Sequence, residues 1–326
     1  MKILNGQELA GFIKERQAKQ VRSLKAAKIF PKLAIVQVKD DPVINTYVKL
    51  KRQYGADIGV DVEVHTPSQH DTPKLLNMLS NDKSVSGIIV QLPLSDPSQT
   101  DEIVNLVAPQ KDVDALGDPE APWPPHLGGV QGAGEQRTEP YKDGTAKEQP
   151  QPATPQSATS TSSAAGSASR QAGAARGSWF EPATPMAILW LLNGFNIDLA
   201  GKKVLLIGRG KLVGAPLEKI LKNSGIDVEV IEREVPDLAE HTKEADVIIT
   251  ATGSPAILRP AMIKQGAVVV DAGVASEEGK TMGDLDPEVY KRDDLAITPK
   301  KGGVGPLTVC ALFENVIRAA ESSNTK

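Results

Sequence analysis

Short apolar runs alternate with amphipathic segments along this chain, and the alternation occurs in two separate blocks. In the first block the apolar runs are 33–38, 60–65 and 86–94, and the segments between them have the period of helices. Strands that are apolar on both faces and joined by helices are typical of a parallel sheet covered on both sides. The first block therefore predicts an α/β domain built on a parallel sheet.

The second block begins after residue 180 and repeats the pattern. It contains the helical run MAILWLLNGF, then VLLI, VEVIE, ADVIITATG and GAVVVDAG, and it ends with the amphipathic run CALFENVIRAAES. This order predicts a second parallel sheet, with ligands at the carboxyl ends of its strands. A chain of 326 residues with 40 % hydrophobic content can form two cores. We predict that 1–117 with 298–326 forms one domain and 179–297 the other.

Residues 118–178 separate the two blocks and differ from them in composition. The segment is rich in Pro, Gly, Ser, Ala, Gln and Thr, with almost no aliphatic side chain larger than alanine. Such a segment cannot bury enough apolar surface to offset its ordering entropy, so we expect a disordered, low-complexity insertion. A natural insertion, a tether and a reading-frame error over a short connection are equally good explanations from the sequence alone.

The composition argues against several classes of function. The net charge is −4, from 37 basic and 41 acidic residues that are interspersed, so there is no basic footprint for nucleic acid or an anionic membrane. No apolar run approaches the roughly 18 residues of a membrane helix. The start MKILNGQELAGFIKERQ carries charges every few residues, unlike a signal peptide. We therefore expect a cytoplasmic protein.

Neither the cysteine nor the histidines suggest a covalent or metal-dependent framework. The single cysteine, Cys310, cannot form an internal disulfide and is expected to be a buried small residue. His65, His70, His126 and His241 show no metal-ligand spacing with one another or with Cys310. No metal site is predicted.

A glycine-rich loop follows the first apolar run of the second block. Gly208, Gly210 and Gly214 lie between VLLI and a predicted helix, the context in which backbone amides approach a pyrophosphate. Their spacing is one residue longer than in the common fingerprint, and a tight turn without a ligand is the alternative. The loops 251–255 and 270–275 end two further strands, so the three loops predict one crevice for a dinucleotide in a Rossmann-like domain.

The choice between the two common dinucleotides depends on charges near this crevice. Glu232 ends VEVIE and suits a ribose 2′-hydroxyl, whereas Arg233 and Arg209 suit a 2′-phosphate. The two arginines favour NADP, with NAD as the alternative. The residues that we expect to contact the cofactor are Gly208, Arg209, Gly210, Val213, Gly214, Arg233, Gly253 and Val274.

One predicted helix of the first block carries a lysine on its apolar side. At 100° per residue the apolar face is formed by Ile44, Tyr47, Val48, Tyr54, Gly55 and Ile58. Lys51 lies near the centre of this face and Lys49 on the opposite one. Partial burial disfavours the charged form of an amine, so Lys51 is suited to proton transfer near neutral pH. The alternative is a lysine whose stem covers apolar surface while its ammonium reaches water.

Seven motifs occur in a fixed order along the chain. They are TYVKLK, VQLPL, KDVDAL, PATP before a helix, GRGKLVGAP, VDAGVASEEGKTMGD and TPKKGGVGPLT. With them the sequence resembles the methylenetetrahydrofolate dehydrogenase/cyclohydrolase family, over essentially the whole chain outside the low-complexity segment. The resemblance implies oxidation of 5,10-methylenetetrahydrofolate by NAD(P)⁺, then hydrolysis of the methenyl product to 10-formyltetrahydrofolate. Both reactions would share one site between the domains.

The resemblance also assigns individual residues. It maps a catalytic lysine onto Lys51, a tyrosine onto Tyr47, a glutamine onto Gln91 and a folate-holding aspartate onto Asp114. Tyr47 would hydrogen-bond the lysine or stack on the folate, and Gln91 would orient the amine. The implied substrate contacts are Tyr47, Leu92, Pro93, Asp114, Gly302, Gly303, Gly305 and Pro306. The family further implies a homodimer with folate as the substrate.

Two of these motifs have plainer alternatives. In an extended segment Asp112 and Asp114 would point to the same side, and carboxylates there suit the N–H donors of a pterin. A turn or helix cap is the alternative, which we prefer for Asp112. The run 302–308 places three glycines and a proline before the last helix, where free amides suit an anionic or carbonyl group. A simple helix start is the alternative there.

The sequence departs from the family pattern at several positions. Gly210 replaces a serine and 232–235 replaces a serine-containing turn, and both changes weaken the case for NADP. Two lysines in TPKKGG replace a valine and a proline, and VDAL replaces VDGF. Two other functions therefore stay open: a different two-domain NADP-dependent dehydrogenase for hydroxy acids or shikimate-like substrates, and a non-catalytic folate- or dinucleotide-binding protein.

Overall fold

A computed structural model of the chain describes 1–120, 179–232, 237–273, 275–277 and 280–323. Apart from 118–120, the predicted insertion lies outside the described residues. The proposed cofactor contacts Arg233 and Val274 lie outside them as well.

The first block forms a three-stranded parallel sheet flanked by helices. Its elements are β1 (Lys2–Ile3), α1 (Gly6–Ala26), β2 (Lys32–Gln37), α2 (Pro42–Ile58), β3 (Asp61–His65), α3 (Thr72–Asn81), β4 (Gly87–Gln91) and α4 (Thr100–Val104). The strand order is β3-β2-β4, with β2 parallel to both neighbours. The α/β parallel sheet predicted for this block is confirmed, although the last strand ends at Gln91 and not at residue 94.

The second block forms a six-stranded sheet. Its elements are α5 (Ala183–Gly194), β5 (Val204–Ile207), α6 (Gly214–Asn223), β6 (Val228–Ile231), α7 (Leu238–Glu244), β7 (Val247–Thr250), β8 (Val268–Asp271), β9 (Ala275–Glu277), β10 (Lys280–Met282), β11 (Ala296–Ile297) and α8 (Val304–Ser322). The strand order is β1-β11-β8-β7-β5-β6, all parallel, and β9 and β10 form a separate antiparallel pair. The predicted Rossmann-like arrangement is confirmed.

The first strand of the chain lies in the second sheet. β1 pairs with β11 in parallel, so Lys2–Ile3 does not join the sheet of the segment 1–117 in which the sequence placed it. A strand this short carries no periodic pattern. Its pairing follows from the packing of α1 against α8, which brings the two chain ends together.

Helix α8 contributes to the cores of both blocks. Its first half, with Leu307, packs in the cluster that contains Leu206 of β5, and its second half, with Phe313, packs in the cluster that contains Ile35 of β2. The helix begins at Val304, so part of the glycine-rich motif forms its first turn. The sequence had suggested that the whole motif precedes the helix. A proline is accepted in a first turn because the amide there has no helical partner.

Helix α2 has clear signals at both ends. Asp41 precedes it, and its carboxylate accepts hydrogen bonds from the amides of Val43 and Ile44 at 2.9 and 3.3 Å. Pro42 occupies the first turn, and Gly59 ends the helix in the left-handed region at a φ of 87°. These signals fix which residues of the helix face the sheet.

Within the described ranges, no helix is long and apolar enough to span a membrane.

Candidate active site

Two parallel strands of the first sheet end side by side at the proposed site. Gln37 of β2 and Gln91 of β4 are partners in register. Lys51, on the inward side of α2, donates a hydrogen bond from Nζ to Gln91 Oε1 at 2.7 Å. The Gln91 Nε2 group donates to the Leu92 carbonyl at 3.1 Å, which directs the amide oxygen toward the amine. The helical period thus predicted correctly that Lys51 faces the sheet.

The burial of Lys51 favours an amine that loses its proton easily. Burial lowers the pKa of Lys51, and the nearby Asp114 carboxylate counteracts this in part. Burial likewise raises the pKa of Asp114, against the opposing effect of Lys51. Asp114 forms neither a hydrogen bond nor an ion pair with any other described residue. Its carboxyl group is therefore available to a ligand.

Tyr47 lies one helical turn before Lys51 on the same face. It is half-buried, and burial raises the pKa of its hydroxyl. Within the described residues the hydroxyl makes no hydrogen bond, so the predicted bond to Lys51 is absent here. Leu92 packs in part against the core of the first sheet, while Pro93, joined to it by a cis peptide bond, is exposed. The tyrosine ring and this dipeptide remain the apolar surfaces predicted for a substrate.

Asp112 and Asp114 do not form a pair. The chain turns at 113–114 and Ala115 has a φ of 54°, so the segment is not extended as we expected. The Asp112 carboxylate accepts hydrogen bonds from the amides of Leu116 and Gly117 at 3.3 and 2.9 Å. Asp112 therefore stabilises a turn, whereas Asp114 is placed near Lys51. A turn with a positive φ at alanine could not be read from the sequence.

The GGVGP motif packs closely against the start of α1. Gly302 has a φ of 82°, and its carbonyl accepts a hydrogen bond from the Gln7 amide at 2.9 Å. A Cβ on Gly6 would lie 1.9 Å from the carbonyl oxygen of Gly303, whereas one on Gly305 would meet open space. Within the described residues, no hydrogen bond joins this motif to Lys51 or Asp114. Its predicted contact with the substrate stays a prediction.

The loops of the second sheet form a close-fitting crevice. Gly208 has a φ of 97°, and a Cβ there would lie 2.7 Å from the carbonyl oxygen of Ala251 in the loop after β7. A Cβ on Gly214 would lie 1.9 Å from the carbonyl oxygen of Gly208, whereas Gly210 has open space. Val213 directly precedes α6. The glycines therefore let the backbone of two loops meet where the amides of α6 begin.

Arg209 is held at one edge of this crevice. Its Nε donates to Glu218 Oε2 at 2.6 Å, and Lys222 donates to the other oxygen of the same carboxylate at 2.7 Å. Glu218, and more weakly Glu232, raise the pKa of Arg209. No described residue hydrogen-bonds its two terminal nitrogens, so they remain available for a phosphate.

Two structural observations indicate that the crevice fits a dinucleotide. Backbone atoms fill the places where Cβ atoms of Gly208 and Gly214 would lie, so two loops pack closely at the start of α6, while the space beside Gly210 is open to a pyrophosphate. In addition, the buried Ser254 hydroxyl, next to Gly253, has no hydrogen-bond partner among the described residues. A buried hydroxyl without a partner is unfavourable, so a ligand group is suited to supply one.

No role follows from the sequence for Asp271, for Asp284 or for the pairing of Lys211 with Asp101. Asp271 and Asp284 accept backbone amides from the loops of the second sheet. Lys211 of the glycine loop forms an ion pair with Asp101 of α4, which links the two blocks. Asp271 and Asp284 both occur in the motif VDAGVASEEGKTMGD, but nothing in their spacing shows that they converge.

In the described part of the chain, no group of three or more His, Cys, Asp or Glu side chains is arranged to hold a metal ion.

Comparison with known proteins covers both blocks. Residues 4–114 match the family model described as tetrahydrofolate dehydrogenase/cyclohydrolase, catalytic domain, and 182–324 match its NAD(P)-binding domain. A relative from Nautilia profundicola, named bifunctional protein FolD, is 32 % identical over 99 % of this chain and 98 % of its own.

Solved structures agree with these matches. A bifunctional methylenetetrahydrofolate dehydrogenase/cyclohydrolase from Campylobacter jejuni is 32 % identical, with a TM-score of 0.76 and 99 % of each chain covered. A 5,10-methylenetetrahydrofolate dehydrogenase from the silkworm Bombyx mori is 27 % identical, also with a TM-score of 0.76, and both chains are covered completely, at 100 %.

Proposed function

The chain belongs to the tetrahydrofolate dehydrogenase/cyclohydrolase family, and we propose that it carries out both of the family's reactions at the Lys51 site. It oxidises 5,10-methylenetetrahydrofolate with NAD(P)⁺ to the 5,10-methenyl form and hydrolyses that cation to 10-formyltetrahydrofolate. The observation that carries the proposal is the hydrogen bond between Lys51 Nζ and Gln91 Oε1, at a half-buried position near Asp114.

The hydrolytic step uses Lys51 as the proton-transfer group. Water adds to the methenyl carbon, and the neutral Lys51 amine accepts the proton that the water loses. The same proton passes to N5 of the folate as the bond between that carbon and N5 breaks, and the remaining hydroxyl proton leaves to solvent as the C=O double bond forms, which leaves the formyl group on N10. Burial lowers the pKa of Lys51 and so favours the neutral amine, and Gln91 holds it in one orientation.

The folate is bound by groups that surround this amine. Asp114 accepts hydrogen bonds from the pterin, because its carboxyl has no partner among the described residues. Tyr47, Leu92 and Pro93 provide apolar surface for the ring system. The glycine-rich start of α8, 302–306, provides amides for the remaining polar groups of the substrate.

The oxidative step requires a dinucleotide, which accepts a hydride from the methylene carbon. Gly208 and Gly214 allow the close backbone packing of the pyrophosphate loop, and Gly210, Gly253 and Val213 would contribute backbone contacts to the cofactor. Arg209, with Arg233 as predicted, favours the 2′-phosphate of NADP over NAD.

Three further features are also proposals. We retain the division into a folate domain, 1–117 with 298–326, and a dinucleotide domain, 179–297, with β1 in the sheet of the latter. The chain acts as a homodimer, as the family resemblance implies. It acts in the cytoplasm, which the single, unpaired Cys310 supports.

The proposal is tested with two absorbance assays on the purified chain. The first supplies 5,10-methylenetetrahydrofolate with NADP⁺ or NAD⁺, and the second supplies the methenyl compound with no dinucleotide. We expect turnover in both assays and a higher kcat/KM with NADP⁺. A different dehydrogenase would be silent in both, whereas a binding protein would be stabilised thermally by folate without any absorbance change.

A further inference from the structure

Two aspartates lie beneath the loops of the second sheet. Asp284 is fully buried, with 0 % of its surface exposed, and Asp271 is half-buried at the carboxyl end of β8. Neither forms an ion pair with a lysine or arginine in the described part of the chain. Asp284 accepts hydrogen bonds from backbone amides, and Asp271 accepts them from backbone amides and from the Thr250 hydroxyl at 3.3 Å. Burying carboxylates without a cationic partner is unfavourable, so these hydrogen bonds must hold both in place.

Asp284 holds the loop that follows β7. Its two carboxylate oxygens accept hydrogen bonds from the amides of Thr252 and Ser254, at 2.8 and 3.0 Å. Gly253, which has a φ of 65°, lies between these two residues. Each oxygen has a separate partner, so the carboxylate fixes both the position and the orientation of this short loop.

Asp271 connects the Asp284 carboxylate to the neighbouring loops. It accepts the amides of Gly273 and of Asp284 itself, at 3.0 and 3.2 Å. Its own amide donates to Thr298 Oγ1 at 2.9 Å, close to the glycine-rich start of α8. The two carboxylates therefore tie together the loops after β7 and β8 and the segment at 283–285.

The space around both carboxylates is closed by glycines. A Cβ on Gly273 would lie 2.0 Å from an oxygen of Asp284, and a Cβ on Gly283 would lie 2.0 Å from an oxygen of Asp271. Each glycine thus leaves room for the carboxylate that faces it. This fit makes the arrangement specific for aspartate at both positions.

We propose that Asp284 is a positioning residue for the dinucleotide, which it serves by holding the loop Thr252–Ser254 in the geometry that contacts the cofactor. The inference rests on the proposed function for the identity of the cofactor. Asp284 does not itself touch the ligand. Its effect passes through the loop, whose Ser254 hydroxyl is buried without a partner among the described residues and is the group that meets the cofactor.

The hydrolytic reaction supplies an internal control, because it consumes no dinucleotide. In Asp284→Asn the side chain keeps its size, but one oxygen becomes an NH₂ group, which cannot accept an amide hydrogen. We expect the Kd for NADP⁺, measured by calorimetry, and the KM in the dehydrogenase assay to rise about tenfold or more. The kcat of methenyl hydrolysis should stay within about twofold of the unchanged protein.

Asp286→Asn is the matched control. Asp286 lies two residues away and accepts the amide of Glu288 at 2.8 Å, a role that asparagine also performs. We expect the Kd for NADP⁺ to be unchanged in this variant. Equal loss of both activities in Asp284→Asn would show that Asp284 has a purely structural role. An unchanged Kd for NADP⁺ in Asp284→Asn would show that Asp284 has no role in cofactor binding. Either result overturns the proposal.

A second variant covers the case in which Asp284→Asn does not fold. Ser254→Ala removes only the hydroxyl, and we expect it to raise the Kd for NADP⁺ severalfold while hydrolysis is unchanged; an unchanged Kd overturns the proposed contact. Calorimetry keeps this test separate from the folate chemistry. If the wild-type chain binds NADP⁺ but oxidises no folate, the proposed function fails and the binding comparison still decides the role of Asp284.

Discussion

Lys51 and Lys49 lie two positions apart on one helix and have opposite surroundings. Lys49 is exposed, whereas Lys51 faces the sheet and donates to Gln91. The helical period alone distinguishes them, which is why the sequence identified the inward lysine correctly. The extended pattern that would have placed Asp114 on the same side as Asp112 was wrong, because the chain turns at 113–114, whereas the turn preferred for Asp112 is confirmed.

The charge of Asp114 leads to a prediction about the pH dependence of methenyl hydrolysis. Its carboxylate raises the pKa of Lys51 against the effect of burial, so Asp114→Asn should lower that pKa further. The neutral amine is then retained at lower pH, and the acid limb of the kcat profile for methenyl hydrolysis should move to lower pH. Asp118→Asn, at an exposed site, should leave the limb in place. A shift toward higher pH would contradict the assigned electrostatics.

The position of Arg209 leads to a prediction about the choice between NADP⁺ and NAD⁺. Its terminal nitrogens are unpaired among the described residues, while Glu218 holds its Nε. Arg209→Leu should raise the KM for NADP⁺ about tenfold or more, because a charge-assisted contact to the 2′-phosphate is lost. The KM for NAD⁺, which lacks that phosphate, serves as the control in the same protein and should change little. Equal increases for both cofactors would rule out 2′-phosphate recognition by this residue.

At the scale of elements, strands and helices followed from apolar runs, and their ends were less predictable. The segment between the second and third apolar runs of the first block was predicted to be helical, and α3 lies there, with a proline in its first turn and apolar residues at helical period. The start of α8 was placed too late, since glycines and a proline are more typical of loops than of a first turn. The glycine loop was located correctly by its position between a strand and a helix, while the close approach of its backbone to the loop after β7 depends on tertiary packing.

The glycine loop makes a prediction that contrasts two of its glycines. A Cβ on Gly214 would lie 1.9 Å from the carbonyl oxygen of Gly208, whereas one on Gly210 meets no atom within 4 Å. Gly214→Ala should therefore displace the loop and reduce dehydrogenase kcat/KM about tenfold or more, with methenyl hydrolysis retained. Gly210→Ala should leave both activities near wild type. Comparable effects of the two substitutions on the dehydrogenase would show that the backbone contact is not what binds the cofactor.

At the scale of the whole molecule, the sequence predicted two sheets but not how the chain ends unite them. β1 joins the second sheet, and α8 packs on the cores of both blocks. Both features depend on contacts between residues nearly three hundred positions apart, such as the hydrogen bond from Gln17 to the Cys310 carbonyl. Local patterns do not contain such information, so the sequence left the packing of the last helix open.

Phe313 of α8 is the largest fully buried side chain among the described residues, and it leads to a prediction about stability. Its ring lies 5.0 Å from that of Tyr54 on α2, the helix that carries Lys51. Phe313→Ala should lower the free energy of unfolding by about 3–5 kcal/mol, because it leaves a cavity between the helix and the sheet. Phe12→Ala, at a side chain that is 67 % exposed, should change the urea midpoint very little. Similar midpoints for the two variants would show that this contact does not hold α8 in place.

The central claim, that Lys51 transfers the proton in hydrolysis, is tested most directly by comparing Lys51→Met with Lys49→Met. Methenyl hydrolysis and the Kd for NADP⁺ are measured on both proteins. We predict that Lys51→Met lowers the hydrolytic kcat by about a hundredfold or more, with an unchanged Kd, because a general acid–base group is removed. Lys49→Met should match the wild type in both measurements. Undiminished hydrolysis by the Lys51→Met protein would contradict the account.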